Sequence, residues 1–200
     1  MKLVWSTKTP HGLFETWVGE RGMPSSHWLE LKQVHGTNLI DLSKMTTPLQ
    51  LPTADGFVSS VIPKQTLLIK TADCLPILLM GDKGLAFIHA GWRGLHQNIL
   101  DNPLIQGLAP TKIYVGPHIG AASYEVSEDF TENFPNSDNF IRIDGKLKWS
   151  LIDECLTQVR KLYPRIEVEV SPLCTFETSE LCSYRRDKTN QRNWNLFKPI

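Results

Sequence analysis

The chain has 200 residues, with 21 basic side chains against 21 acidic ones and apolar residues at 41%. That length fits one domain that buries its own core without covalent staples. Zero net charge excludes a strong global electrostatic case for nucleic acid or an anionic membrane surface, and it leaves room for a local basic pocket. No stretch reaches the roughly 18 apolar residues of a membrane span. The start, MKLVWSTKTP, turns polar after Trp5, so no secretory signal is expected. Cysteines stand at 74, 155, 174 and 182 with no CxxC pair. They read as reduced thiols of a cytoplasmic protein. No repeat, low-complexity tract or charge block divides the chain, and a single domain over residues 1–200 is expected.

In chain order, Leu67–Lys70 reads as a strand leading into Thr71-Ala72-Asp73-Cys74. Pro76–Met80 and Leu85–Ile88 read as a hairpin around a four-residue loop, Gly81-Asp82-Lys83-Gly84. A helix starts near Gly94 and runs through Ile99-Leu100. Lys112–Val115 is a strand running into Gly116-Pro117-His118. Ser127 caps a helix through Phe130 and Phe134 that Pro135 ends. Ser150 caps a longer helix, Leu151 to about Leu162, stopped by Pro164. Cys155 falls on its apolar stripe and reads as a core thiol. Ile166–Val170 alternates as a half-buried strand and delivers Cys174. Strands with intervening helices give an α/β (α+β) class.

Three of these strands end in turn-rich loops that carry Cys74, His89 and His118, and Gln33-Val34-His35-Gly36 offers His35 in the same manner. Strand ends aim side chains rigidly, and glycine turns the chain away to leave room. His35, Cys74 and His89 together are two imidazoles and a thiolate, a donor set that suits zinc with a position left open. Their long separations do not single out a metal site, and Cys74 with His89 equally makes a nucleophilic dyad. Asp73 is a charge inside an apolar stretch and needs a partner. Arg93, between two glycines, and Arg185-Arg186 are candidate phosphate binders. His11, His27 and His96 sit in polar surroundings and read as surface residues.

The motifs QVHG (33–36), ADG (54–56), TADCLP (71–76), HAGWRG (89–94), GPHIG (116–120), YEV (124–126), CT (174–175) and SYRRD (183–187) occur in one order. In that order the chain resembles the YfiH/YlmD-like family, also known as laccase-domain or polyphenol-oxidase proteins, over about residues 30–188. The resemblance implies one domain of α-β-β-α layers, similar to cysteine hydrolases of the cytotoxic necrotizing factor type. It implies His35, Cys74 and His89 as metal ligands, with zinc the expected ion and copper, which outranks zinc for such donors, second. It implies a purine nucleoside and phosphate as partners, in phosphorolysis of adenosine, inosine or methylthioadenosine or in deamination of adenosine. Some members are credited instead with peptidoglycan-precursor editing. The segment before residue 30 is shorter than the family's, with Gly19–Gly22 at most a remnant of its turn, and Ser123 stands where many members have cysteine.

A multicopper cluster needs far more histidines than the six present, many of them in His-x-His pairs, and the chain has none of these. The expected function is therefore a zinc-dependent purine nucleoside enzyme. In it His35, Cys74 and His89 are ligands, Asp73 a supporting or proton-transfer group and Arg93 an anion binder. A metal-free Cys–His hydrolase or amidase, peptidoglycan editing included, is the competing class. A non-catalytic, degenerate binding protein is the third.

Overall fold

The computed structural model describes residues 1–19, 28–45 and 51–200. Glu20-Arg21-Gly22 of the turn remnant and His27 lie outside them. The strands and helices, in order, are β1 (Lys2–Thr9), β2 (Gly12–Val18), β3 (Trp28–Leu29), β4 (Ile40–Asp41), β5 (Gly56–Ser59), β6 (Thr66–Thr71), β7 (Leu75–Gly81), β8 (Gly84–Ala90), α1 (Trp92–His96), α2 (Pro103–Gln106), β9 (Pro110–Val115), β10 (Phe140–Ile143), β11 (Lys146–Trp149), α3 (Leu151–Leu162), β12 (Glu167–Val170), α4 (Tyr184–Asp187) and β13 (Asn193–Pro199).

Among the described residues two mixed sheets stack. One runs β1-β2-β13-β6-β3 and the other β12-β9-β7-β8-β5-β4. Alternation along each strand sends one set of side chains into the space between them. Phe14, Leu67, Ile69 and Phe197 from the first sheet meet Leu78, Met80, Phe87 and Tyr114 from the second. The opposite set on the second sheet, with Ile77, Leu79, Ile88 and Val115, packs on Leu95 of α1, Ile105 of α2 and Leu151, Cys155 and Val159 of α3. The described residues thus show two mixed sheets, with α1, α2 and α3 packed on the second.

Helix α3 matches its sequence signals. The Ser150 hydroxyl accepts the Asp153 N–H at 3.2 Å, and burial pushes the Cys155 thiol up to about 12. The β7–β8 hairpin is tighter than expected. Gly81 pairs with Gly84, so the loop is Asp82-Lys83 alone. Gly84 takes φ +124°, and a β-carbon there would run into the Ser59 carbonyl. The helix expected from Gly94 to Leu100 is broken in two. Asn98 adopts φ +57°, which ends α1 and starts a separate 3₁₀ turn at Ile99–Asp101. The stretch between Ser127 and Pro135 is too short for several α-turns and tightens to 3₁₀ over Glu128–Asn133. Ser127 supplies no side-chain cap there. Strands β1 to β5, β10, β11 and β13 are not among those expected from the sequence.

The Ser150 cap predicts that Ser150→Ala removes about 1 kcal/mol of stability, seen as a lower urea midpoint at unchanged slope. An unchanged midpoint would mean the cap does not hold α3.

Candidate metal centre

Asp55 lies at the entry to β5 with no solvent exposure. A buried carboxylate has to be met by donors. Its Oδ1 accepts His35 N–H at 2.8 Å, its Oδ2 accepts Gly36 N–H at 2.7 Å, and Val34 N–H reaches Oδ1 at 3.2 Å. Three consecutive N–H groups converge because His35 takes the left-handed conformation, φ +61°, which curls the loop into a nest. A fourth donor comes from β8, the His89 Nδ1 at 2.9 Å from Oδ1. Burial alone would push the Asp55 carboxyl up; the His89 hydrogen bond and the backbone N–H groups outweigh it and hold it below the usual carboxylate range.

The other side of the loop is clamped too. The Gln33 amide donates to the Lys70 carbonyl and accepts the Lys70 N–H, both at 2.8 Å. This reciprocal pair works as a rung of sheet added to the end of β6.

Strand register then places the thiol. Pro76 faces His89 and Leu75 faces Ala90 across the β7–β8 ladder, so Cys74 arrives beside Gly91. A β-carbon on Gly91 would lie 2.8 Å from Cys74 Sγ and 3.5 Å from His35 Cδ2, so this glycine keeps the space open. Ligand atoms of His35, Cys74 and His89 all lie within 4.8 Å of one another, and the two rings meet edge to face at 4.7 Å. Asp55 occupies Nδ1 of His89, which leaves Nε2 as that ring's available donor atom. Two imidazoles and a thiolate with a fixed tautomer fit a zinc-type ion.

The same proximity sets protonation. Burial opposes the Cys74 thiolate, yet the charge of His89 and hydrogen bonds from His35 and His89 bring the thiol down to about 6. Burial likewise opposes the His89 imidazolium, but the Cys74 thiolate and Asp55 raise it to about 9.

The trio opens into a cleft of about 360 Å³ whose walls include Glu30, Lys32, Gln33, Lys70, Thr71 and Arg192. Asp73 does not join the trio. Its Oδ1 accepts the Thr175 hydroxyl at 2.6 Å and its Oδ2 the Arg185 N–H at 2.8 Å, so it ties the 175–185 segment beside Cys74. Arg93 is exposed on α1, with its guanidinium 4.8 Å from the Trp92 ring centre, and is not a wall of the cleft. Arg186 spends its guanidinium on the carbonyls of Thr175, Phe176, Thr178 and Leu181. Arg185 bonds the Glu125 carbonyl and lies over Tyr124. His118 is buried, its Nδ1 bonded to the Gly116 carbonyl, and burial lowers its pKa. His11 and His96 are exposed. All four thiols are unpaired. The sequence reading missed Asp55, Gln33, Gly91, Lys70 and Arg192 as individual residues. The first three sat inside quoted motifs, and that was their only signal.

Two predictions follow from the geometry. Asp55→Asn weakens zinc binding by about 10–100-fold in competition with a chromophoric chelator, because the amide no longer fixes His89 as an anion does. In metal-stripped protein, alkylation of Cys74 by iodoacetamide rises with a midpoint near pH 6. The sign is that of an acid with a depressed pKa: below the midpoint the thiol is protonated and slow, above it the thiolate reacts. His89→Gln moves the midpoint upward because burial then acts with less opposition. A wild-type midpoint at the ordinary thiol value would refute the coupling.

A family model described as multi-copper polyphenol oxidoreductase laccase matches residues 14–196. A purine nucleoside phosphorylase of Aquifex aeolicus is 36% identical over 128 residues, 62% of this chain and 61% of that protein. The Escherichia coli purine nucleoside phosphorylase YfiH is 33% identical over 182 residues, 82% of this chain and 70% of that one. The chain spans about half the length of a Xylella fastidiosa relative, at 48%. A Neisseria meningitidis crystal structure superposes with a TM-score of 0.71 at 28% identity, covering 85% of this chain and 74% of that chain. YfiH of Bacillus licheniformis has the same fold, with a TM-score of 0.72 at 22% identity over 84% and 73%. No helix among the described residues is long and apolar enough to cross a membrane. With its sheets, its motif order and its matched span, the chain belongs to the multi-copper polyphenol oxidoreductase laccase family, which includes the YfiH and YlmD proteins.

Proposed function

We propose that this chain is a zinc-dependent purine nucleoside enzyme, acting by phosphorolysis of adenosine, inosine or methylthioadenosine, with deamination of adenosine as its companion activity. The observation that carries the reading is the His35, Cys74 and His89 cluster, within 4.8 Å and at the wall of a cleft of about 360 Å³. A volume in that range suits a small organic substrate. The phosphorylase names of the relatives supply the substrate class. We read residues 1–200 as one domain with its thiols reduced, as in cytoplasm.

His35, Cys74 and His89 would hold the ion, and zinc, when bound, supplies Lewis acidity at that wall. The chain's own residues do the positioning. Asp55 fixes the His89 tautomer and the curl of the His35 loop. Gly91 keeps the space beside Cys74 clear. Asp73 holds the 175–185 segment next to the reacting groups. In phosphorolysis a phosphate oxygen bonds to the ribose anomeric carbon as the bond to the purine nitrogen breaks, and the base leaves with a proton. In deamination water adds at the amino-bearing purine carbon and ammonia leaves.

A second reading rests on the Cys74–His89 charge pair, with the thiol near 6 and the imidazole near 9. A preformed thiolate beside an imidazolium suits acyl transfer from an amide, the chemistry of the cysteine-hydrolase fold that the sequence resembles.

Incubation with adenosine and with inosine, each with and without phosphate, separates the possibilities. The expected result is hypoxanthine from inosine only when phosphate is present, with inosine from adenosine marking deamination. A chelator should stop turnover and zinc should restore it, and His35→Ala should lose metal and activity together. Full turnover by demonstrably metal-free protein, with a covalent adduct at Cys74, would replace this reading with the hydrolase one.

A further inference from the structure

The cleft beside the trio does not end there. A second cleft of about 490 Å³ adjoins it, lined by Lys70, Arg192, Trp194, Cys182, Asn190 and Gln191. Lys70 and Arg192 line both clefts and therefore stand on the ridge between them. The charge around the trio's cleft is one-sided, with Lys32, Lys70 and Arg192 against Glu30. Glu30 is already paired with Lys70, and among the described residues no carboxylate pairs with Lys32 or Arg192. Among the described residues, three cations against one carboxylate give this opening of a chain of zero net charge a positive balance.

The two ridge cations are held differently, the Arg192 guanidinium by backbone carbonyls and the Lys70 ammonium by Glu30. The Arg192 Nη1 donates to the Thr189 and Gln191 carbonyls at 3.0 and 2.8 Å. That fixes one arm of the guanidinium, and among the described residues no carboxylate pairs with the other. The Lys70 peptide is clamped on both sides by Gln33, and its ammonium lies 5.6 Å from the Trp194 ring centre. Groups held in place this way lose little freedom on binding. A guanidinium edge and an ammonium converging on one opening match a tetrahedral oxyanion, with the fork giving direction and the ammonium a point charge.

We infer that Arg192 and Lys70, helped by Lys32, form the subsite for a phosphate group beside the trio, and that Arg93 does not. This rests on the proposed nucleoside chemistry for its ligand class and deepens it by naming the residues that receive the anion.

The test is direct binding of inorganic phosphate and, separately, of AMP to the purified protein by calorimetry. Arg192→Gln and Lys70→Gln should each weaken phosphate binding by about tenfold or more, and added salt should weaken it further. Arg192→Lys keeps the charge and loses the fork, so it should fall between wild type and Arg192→Gln. Loss for inorganic phosphate identifies the anion as a free co-substrate. Loss for AMP alone keeps the subsite and makes the anion the substrate's own phosphoryl group. Absence of binding to wild type, unchanged affinities in the Lys70→Gln/Arg192→Gln double variant, or loss in Arg93→Gln instead, each overturns the inference. Unchanged circular dichroism and unfolding midpoints show that the variants fold. The outcomes also separate the two claims. Phosphate bound through these side chains without inosine turnover keeps the subsite and removes the phosphorylase reading. Turnover with an unaltered phosphate KM in the double variant does the reverse.

Discussion

The Asp55 carboxylate is a full charge with no access to solvent, and the site is arranged around satisfying it. Its donors come from two separate stretches of chain, the Val34–Gly36 loop and the end of β8. Neither stretch can shift without leaving a buried anion short of partners, a change that costs about 3–5 kcal/mol. The carboxylate therefore locks one imidazole by its ring nitrogen and the other through its backbone. A side chain with only acceptors suits this place, since every neighbour is a donor. Because the linkage is made by protein groups, the His35 and His89 positions are set by the chain itself.

Strand register brings the remaining pieces to the same end of the sheet. Gly56 faces Ile88 and Pro76 faces His89, so the entry to β5, the entry to β7 and the exit of β8 lie together. A slip of one residue would turn His89 to the opposite face of the sheet. The sandwich supports this edge from behind. Gly116 sits so close to Pro76 and Phe14 that an added β-carbon would come within 2.9 and 3.0 Å of them. The C-terminal segment closes the remaining side. His118 bridges to Cys174, the Gly120 N–H bonds the Cys174 sulfur at 3.1 Å, and Asp73 ties Thr175 and Arg185. Cys174 thus has a structural contact close to the site and no bond to Cys182.

How much of this was legible depended on how local the signal was. Helix α3 and the strands around Cys74 and His89 were readable because capping residues and apolar runs are local features. The glycines flanking Arg93 suggest a shaped loop, whereas the chain enters α1 at Trp92 and the guanidinium lies over that ring, outside the cleft's lining. The terminal strands escaped because β1 is mostly polar and half-exposed, and its partner β2 joins β13 from the far end of the sequence. Asp55 was visible only as a motif letter. Its role depends on contacts with residues 19 to 34 positions away, which no periodicity encodes. Lys70 and Arg192 lie 122 positions apart, and only the antiparallel pairing of β13 with β6 makes them neighbours.

The protonation of the trio links the two chemistries this geometry supports. Between about pH 6 and 9 the Cys74–His89 pair holds its proton on the imidazole, with Asp55 steadying the resulting cation. The sulfur is then already the thiolate that a soft divalent ion requires, and one proton must leave His89 before Nε2 can bind that ion. The same charge separation that serves a nucleophile therefore lowers one barrier to metal binding and raises another. With an ion bound, Cys74 and His89 would serve as its ligands and the sulfur would be masked. Asp55 works in both states, as counter-ion to the imidazolium and as acceptor that keeps the neutral ring oriented. A single buried carboxylate thus makes the site serviceable for metal chemistry without abolishing the thiolate chemistry beneath it.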